Sequence, residues 1–509
     1  MQLPQRVDTI ICGGGTSGAV VAGLIAELSD QSVLVLESGP DFGPCDSGRW
    51  PDDLRDASAL GTSCDAGYSS ESSYPDRVVD FERARVIGGC SAHNGCAAIW
   101  GSRVDYDAWA AAGLTGWSAD DLLPHFREAN RRMRVKSYAS DEVTPFQQAA
   151  IDAAVAWGVP RVEDLNDLDE AQGIAPSPVN IFNGIRWNTS FAYLDPVRSR
   201  PNLTIIGGAL VERVEVTNGR ATGVTVRTSD GTTHVTADRV VVCGGTYESP
   251  ALLLRSGIGP ADDLRSLGLP VVQDLPGVGA NLHDHPSVSL RYNGTPELEE
   301  RMRQFALAHW RPEEQSIAKI RTSMYPADTP GFDLHFYPVG GPDPSDPARW
   351  RWAFPIACMT PRSVGSVTLR SPDPSDRPFI NHRYLSDAEG HDRAVLVDGV
   401  RIAREIVGSE PLRSLIGEEL DPGPDAHDEA SITRWVDATV AHYYHPVGTC
   451  AMGTAGNPKA VTDATAKVHG IDGLFVADCS IMPTIPRANT NIPAVVVGER
   501  VGRLLAASS

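Results

Sequence analysis

The sequence predicts an α/β fold on three observations. The first 39 residues carry one strand, glycine turn, helix and strand in succession. A second strand runs into a glycine pair at Gly244-Gly245. Between them lies a series of short strands separated by Asn-Gly and Asp-Gly.

Val7-Asp8-Thr9-Ile10-Ile11-Cys12 is short and β-branched, the composition of a strand buried in a parallel sheet. It breaks at Gly13-Gly14-Gly15-Thr16-Ser17-Gly18, where Gly13, Gly15 and Gly18 fill GxGxxG. A small-residue helix follows from Ala19 to Ile25, then a strand from Ser32 to Leu36 that ends in Glu37. Glycines at these places make a tight turn and let backbone N–H groups approach a pyrophosphate at the helix N-terminus. An acid about 20 residues further on, at the tip of the second strand, can accept hydrogen bonds from a ribose diol. A glycine-rich turn without a ligand needs no such context, so the unit is read as dinucleotide-binding. NAD and FAD suit it equally.

Composition narrows the class. At 509 residues, 41% apolar, the chain is long enough for two or more domains with full cores. A formal charge of −21 without a Lys/Arg run argues against nucleic acid and anionic membranes as partners. Nine cysteines, with no CxxC pair, suit reduced thiols. No signal peptide is recognised ahead of the first strand and no apolar run is long enough to insert in a bilayer, so a cytoplasmic protein is expected.

Residues 40–80, rich in Gly, Pro, Ser and Asp, read as a lid-like surface excursion. Glycine pairs and small residues from Phe81 to Gly101 let backbone come close to a flat ligand. From about 105 to 160 the pattern is helical, with Ser118 as an N-cap. Residues 203–243 read as a β-meander: Leu203 to Ile206, Val211 to Val216, Ala221 to Arg227 and Thr232 to Val235, turning at Asn218-Gly219 and Asp230-Gly231. Arg239 to Cys243 is a separate strand into the second glycine turn. Further strands are expected around Phe332–Tyr337 and Gly365–Leu369, and a helix through Leu396, Val400, Ala403 and Val407. The chain closes on a strand near Gly473–Asp478 and a helix from Ile492 to Arg500.

Several long blocks together resemble the glucose–methanol–choline (GMC) oxidoreductase family, nearly end to end. They are Ala84-Arg85-Val86-Ile87-Gly88-Gly89-Cys90-Ser91-Ala92-His93-Asn94-Gly95, the run from Gly245 through Ser249-Pro250 to Gly259, Gly277 to Pro286, His445 to Gly453, and Val476 to Pro483. The resemblance implies FAD and a doubly wound FAD-binding domain assembled from discontinuous segments. It also implies an α+β substrate domain with an antiparallel sheet. The expected cofactor-domain segments are 1–155, 200–289 and 440–509, and the substrate-domain segments 156–199 and 290–439. The residues it assigns to FAD are Gly13, Gly15, Thr16, Ser17, Gly18, Glu37, Arg85, Gly88, Gly89, His93, Asn94, Gly95, Val211, Asp478 and Asn491. His93 stands where most members carry an aliphatic residue and is similar to the choline oxidase subgroup, whose matching histidine is bonded to the flavin 8α-methyl carbon. Gly95 stands where that subgroup has serine, which counts against choline itself.

The implied activity is oxidation of a small-molecule alcohol to an aldehyde or ketone. His445 matches the family's proton acceptor and Asn489 its partner, with hydride passing to flavin N5. Oxygen, giving peroxide, is the expected acceptor. A dehydrogenase using a quinone or carrier is the alternative, and a hydroxynitrile lyase, which keeps the fold without redox chemistry, a further one. Tyr443 stands where choline oxidases have a small aliphatic residue near the site of oxygen reaction. His442, and His283-Asp284-His285, are read as structural, and no metal is expected. Trp310, Trp350, Trp352, Phe332, Phe336 and Tyr337 could line an apolar substrate pocket or fill the sheet's core.

Overall fold

The computed structural model describes residues 3–70, 77–343 and 346–508. Its first sheet is built around Arg6–Cys12, which pairs in parallel with Val33–Glu37 on one side and with Gly231–Val242 on the other. Leu203–Gly207 adds in parallel beyond Val33–Glu37, and Leu474–Val476 pairs in parallel with Val240–Val242. The apolar strand residues expected to be buried are so: Ile10, Ile11 and Leu34 are wholly inaccessible, as strands covered on both faces must be. Helix Thr16–Leu28 packs against the C-terminal helix Asn491–Ala507. Their close approach depends on Gly498, where a Cβ would lie 2.7 Å from the Cβ of Val20.

Two strand expectations change. Leu203–Gly207 is not the first strand of the meander but an edge of the parallel sheet. Thr232–Val235 and Arg239–Val242 are one strand, Gly231–Val242. Its first half is antiparallel to Arg220–Thr228 and its second half parallel to Arg6–Cys12, with Thr236 paired to both Gly223 and Arg6. The polar residues between the two runs keep the alternation of a half-exposed strand, and Asp238 accepts from Arg6 at the surface. Asn218-Gly219 and Asp230-Gly231 do turn the chain, with φ +74° at Gly219 and +114° at Gly231.

The second sheet is antiparallel, in the order Ile416–Asp421, Ser287–Gly294, Asp346–Cys358, Leu334–Phe336, Ser316–Ile320, Gly173–Pro176. Asp346–Cys358, the longest of these strands, is absent from the sequence expectations. Pro355 interrupts its pattern and a proline argues against a central strand, yet Trp352, Phe354 and Ile356 are wholly buried on one face. Helices His391–Val407 and Pro145–Trp157 cover this sheet. The helical stretch near 105–160 resolves into Arg103–Ala111, Ala119–Arg132 and Pro145–Trp157, and Ser118 caps the second in a capping box with Asp121.

Of the excursion 40–80, residues 71–76 lie outside the described residues, while Gly61, Thr62, Ala66 and Tyr68 line the central cavity. All nine cysteines are free. No helix among the described residues is long and apolar enough to cross a membrane.

Candidate active site

The site begins at the first glycine turn. Gly13 has φ +104°, and a Cβ there would lie 2.4 Å from the Cys243 carbonyl, so only glycine fits between the two strand ends. A Cβ at Gly18 would lie 2.0 Å from the Gly13 carbonyl. Glu37 clamps the turn, accepting from the backbone N–H of Gly14 at 3.0 Å and of Gly39 at 2.8 Å. No side chain caps the helix that starts after Gly15, so its first turn presents backbone donors to whatever lies above it. A second glycine loop meets the first there, since a Cβ at Gly89 would lie 2.7 Å from the Gly15 Cα.

From these loops a cavity of about 980 Å³ runs to His445 and Asn489. Gly13, Gly15, Thr16, Ser17, Glu37, Arg85, Gly89, His93, Asn94, Gly95, Val211, Asp478 and Asn491 line it. Gly18 and Gly88 do not: the first packs behind Gly13 and the second turns the chain at φ +92° against Asn188. Asp478 accepts from the N–H of Gly245 at 2.9 Å, from the hydroxyl of Ser249 and from the N–H of Ser480, tying the second glycine turn to the C-terminal segment. Asn491 donates to Asn180 and to the Ala97 carbonyl. Burial pushes the Cys90 thiol up, but the Arg83 guanidinium and a hydrogen bond with His93 outweigh it and leave it at about 6.

At the far end His445 is held on three sides. Its backbone N–H donates to Asp284 at 2.9 Å, its Nδ1 lies 2.9 Å from Nδ1 of His285, and its Nε2 lies 3.3 Å from Nδ2 of Asn489. Because the Asn489 amide nitrogen can only donate, Nε2 carries the lone pair and Nδ1–H donates to His285. Asp284 also accepts from the N–H of His285 and the hydroxyl of Tyr384, and burial raises it to about 6. His283 is hydrogen-bonded through Nδ1 to the Asn281 carbonyl at 3.0 Å, but His285, also read as structural, touches the candidate base directly. Nothing in the sequence signals this, because 160 residues separate the two. His442 lines the same cavity, with Nε2 3.9 Å from Glu82.

Burial, reinforced by His335, Arg83 and His442, holds His445 well below the usual histidine value of 6.5. The neutral imidazole therefore persists through neutrality and below it. The rate of flavin reduction should stay level from about pH 8 to 6.5 and fall only on further acidification. Stopped-flow rates against pH check this; a fall centred above 6.5 would contradict the assignment.

Of the six aromatic residues considered for the pocket, Tyr337 lines the cavity. Trp352, Phe332 and Phe336 are buried in the sheet's core, Trp350 stacks on Trp352 at 5.5 Å, and Trp310 lies at the surface. Tyr443 lines it as well: its ring stands 4.7 Å from that of His445 and 6.1 Å from that of Tyr337. Arg186 escaped the sequence altogether. Wholly buried, its guanidinium donates to the carbonyls of Asn94, Asp53, Leu54, Ala92 and Ala59, bracing the signature loop from behind.

Comparison with known proteins decides the family. The N-terminal profile of GMC oxidoreductases matches residues 7–287, and the C-terminal profile residues 361–498. The chain belongs to the GMC oxidoreductase family. It is 34% identical to the mitochondrial choline dehydrogenase of Mus musculus, over 97% of this chain and 89% of that protein. It is 35% identical to the oxygen-dependent choline dehydrogenase of Paraburkholderia phymatum, over 98% and 92%. The structure of pyridoxine 4-oxidase from Mesorbium loti superposes with a TM-score of 0.85, at 28% identity, covering 98% of both chains. This GMC protein is an FAD-dependent oxidoreductase of mixed α/β fold. Its own residues fit that cofactor: the glycine cradle excludes side chains where a pyrophosphate would pass, the uncapped helix offers donors, and Glu37 closes the second strand.

Proposed function

We propose that this GMC protein oxidises a small-molecule alcohol to an aldehyde or ketone, with His445 Nε2 taking the hydroxyl proton. The observation that carries it is the Asn489–His445–His285 array, which leaves the Nε2 lone pair at the wall of a cavity continuous with the dinucleotide turn. The Asn489 amide nitrogen carries two hydrogens, one directed at Nε2, and the other can donate to a substrate oxygen beside it. Asp284 fixes the backbone of the base, and Asn489 and His285 its tautomer, so Nε2 is unprotonated and accepts from Asn489 until the substrate hydroxyl takes that place. FAD supplies the two-electron acceptor. Segments 1–155, 200–289 and 440–509 would form the cofactor half and 156–199 with 290–439 the substrate half. The nine free cysteines support a reducing compartment, the cytoplasm.

Oxygen is the proposed final acceptor, on the likeness to an oxygen-dependent dehydrogenase and an oxidase. The bulk of Tyr443 beside His445 favours the second reading, a quinone or carrier. Anaerobic mixing of the yellow holoenzyme with benzylic, furanic, aliphatic and sugar alcohols tests the function: one class should bleach the flavin. Admitting air should restore the colour with one peroxide per product; recolouring only with a quinone would select the dehydrogenase. Turnover without bleaching would overturn oxidation in favour of a lyase.

His93 lines the cavity and is 7% exposed, which supports attachment of the flavin through its imidazole. Acid precipitation should carry the yellow colour into the protein pellet, and His93→Ala should leave it in the supernatant. Release of flavin from the unaltered protein would refute the bond.

A further inference from the structure

We infer that Cys358, His391 and Asp392 form a binding site for a thiophilic divalent cation, zinc above all, that fastens the second sheet to the helix covering it. One sulfur, one imidazole nitrogen and one carboxylate oxygen, one from each residue, lie within 4.8 Å of one another. None of the three lines the central cavity, so the ion is structural and no step of the oxidation passes through it.

The sequence hides the cluster, because two short strands, Ser366–Thr368 and Phe379–Asn381, stand between its members. Cys358 is the last residue of the long strand Asp346–Cys358, and its backbone N–H donates to the Pro286 carbonyl at 3.0 Å. His391 and Asp392 are the first two residues of helix His391–Val407. The strand thus ends where the helix begins, beside the segment that carries His285. Neighbouring groups already hold the ligands in place. The Thr360 hydroxyl lies 3.3 Å from His391 Nε2. Asp392 accepts the Arg362 N–H through one oxygen at 2.8 Å and the Ser363 N–H through the other at 3.0 Å, which leaves a lone pair on each. Outer partners of this kind orient the groups that meet a metal.

Burial and charge distinguish the cluster from an ordinary group of surface acids. Cys358 and Asp392 are wholly inaccessible, and so is Asp333, whose charge bears on the same thiol. Burial, Asp392 and Asp333 push that thiol up, against donors from Thr360. Among the described residues, no lysine or arginine side chain pairs with Asp392 or Asp333. Asp333 accepts instead from the N–H and the hydroxyl of Thr322, at 2.8 and 2.6 Å. Buried carboxylates are costly as anions unless they pair with a cation or coordinate a metal. Half-buried His391, at the rim, gives an ion a way in from solvent. A sulfur ligand disfavours magnesium and calcium, which take oxygen. Sulfur, imidazole and carboxylate together are a donor set of zinc, and three protein ligands leave the fourth place of a tetrahedron to water.

The test takes the flavin-loaded protein, strips it with EDTA and titrates it with zinc by calorimetry. A parallel titration with Co²⁺ is followed to the red of the flavin bands, where its d–d transitions report coordination number. One zinc should bind per chain, and the Co²⁺ spectrum should be that of a tetrahedral site with a thiolate ligand. Zinc should also raise the melting temperature by mass action. His391→Gln alters a half-buried side chain and is expected to fold. It should weaken zinc binding about tenfold or more and remove most of the thermal shift. Cys358→Ser should shift the Co²⁺ bands by replacing sulfur with oxygen. Where that variant fails to fold, the His391→Gln titration decides alone. No stoichiometric zinc, an octahedral Co²⁺ spectrum, or binding that His391→Gln leaves at native strength would each overturn the inference.

Discussion

Replacing His445 with glutamine is expected to slow flavin reduction by about 10²–10⁴-fold, the usual worth of a positioned general base. Glutamine roughly preserves the volume and can still hydrogen-bond Asn489, whose amide lies 3.3 Å from Nε2 in the native site. It cannot take the hydroxyl proton. The loss should therefore fall on the reduction step, measured by stopped-flow at saturating alcohol, with substrate affinity changed far less. His285→Gln keeps a polar partner against His445 Nδ1 and should cost less, because His285 orients the base without touching the alcohol. Reduction at the native rate in His445→Gln would mean that the proton goes elsewhere.

Arg186→Met is expected to be the most damaging change outside the reacting centre. The side chain is wholly buried and its guanidinium serves the carbonyls of Asp53, Leu54, Ala59, Ala92 and Asn94. Methionine preserves much of the apolar stem but leaves these acceptors orphaned in a water-poor interior, where each unmet group costs about 1–3 kcal/mol. Allowing for relaxation, a loss of about 3–5 kcal/mol in denaturant unfolding is expected. Because Ala92 and Asn94 flank His93, flavin content should fall as well. A variant that melts within about a degree of the native protein and retains its flavin would show that the brace is dispensable.

Much of the fold was legible because its signals are local. A glycine turn between a β-branched run and a small-residue helix constrains backbone dihedrals residue by residue, and the GxGxxG unit formed where it was expected. The Asn-Gly and Asp-Gly turns and the Ser118 cap are equally local. Strand pairing was less legible. Asp346–Cys358 reads poorly as a strand because Pro355 breaks its pattern, and only partners on both sides make it the centre of the antiparallel sheet.

His445, Asn489 and the glycine loops could be chosen from the sequence through long blocks resembling a family. The groups that condition them could not. His285 meets His445 from 160 residues away, Arg186 braces a loop 92 residues earlier, and Glu314 fills the space beside Gly95. The sequence by itself determined the dinucleotide turn, the chemistry of the candidate base and the alternation of its strands, since these follow from neighbouring residues and backbone dihedrals. Only the tertiary structure decided which imidazole nitrogen faces the cavity and which buried cation braces the signature loop. Both depend on side chains from distant segments converging in one low-dielectric space, where each group's charge state is set by what else is buried with it.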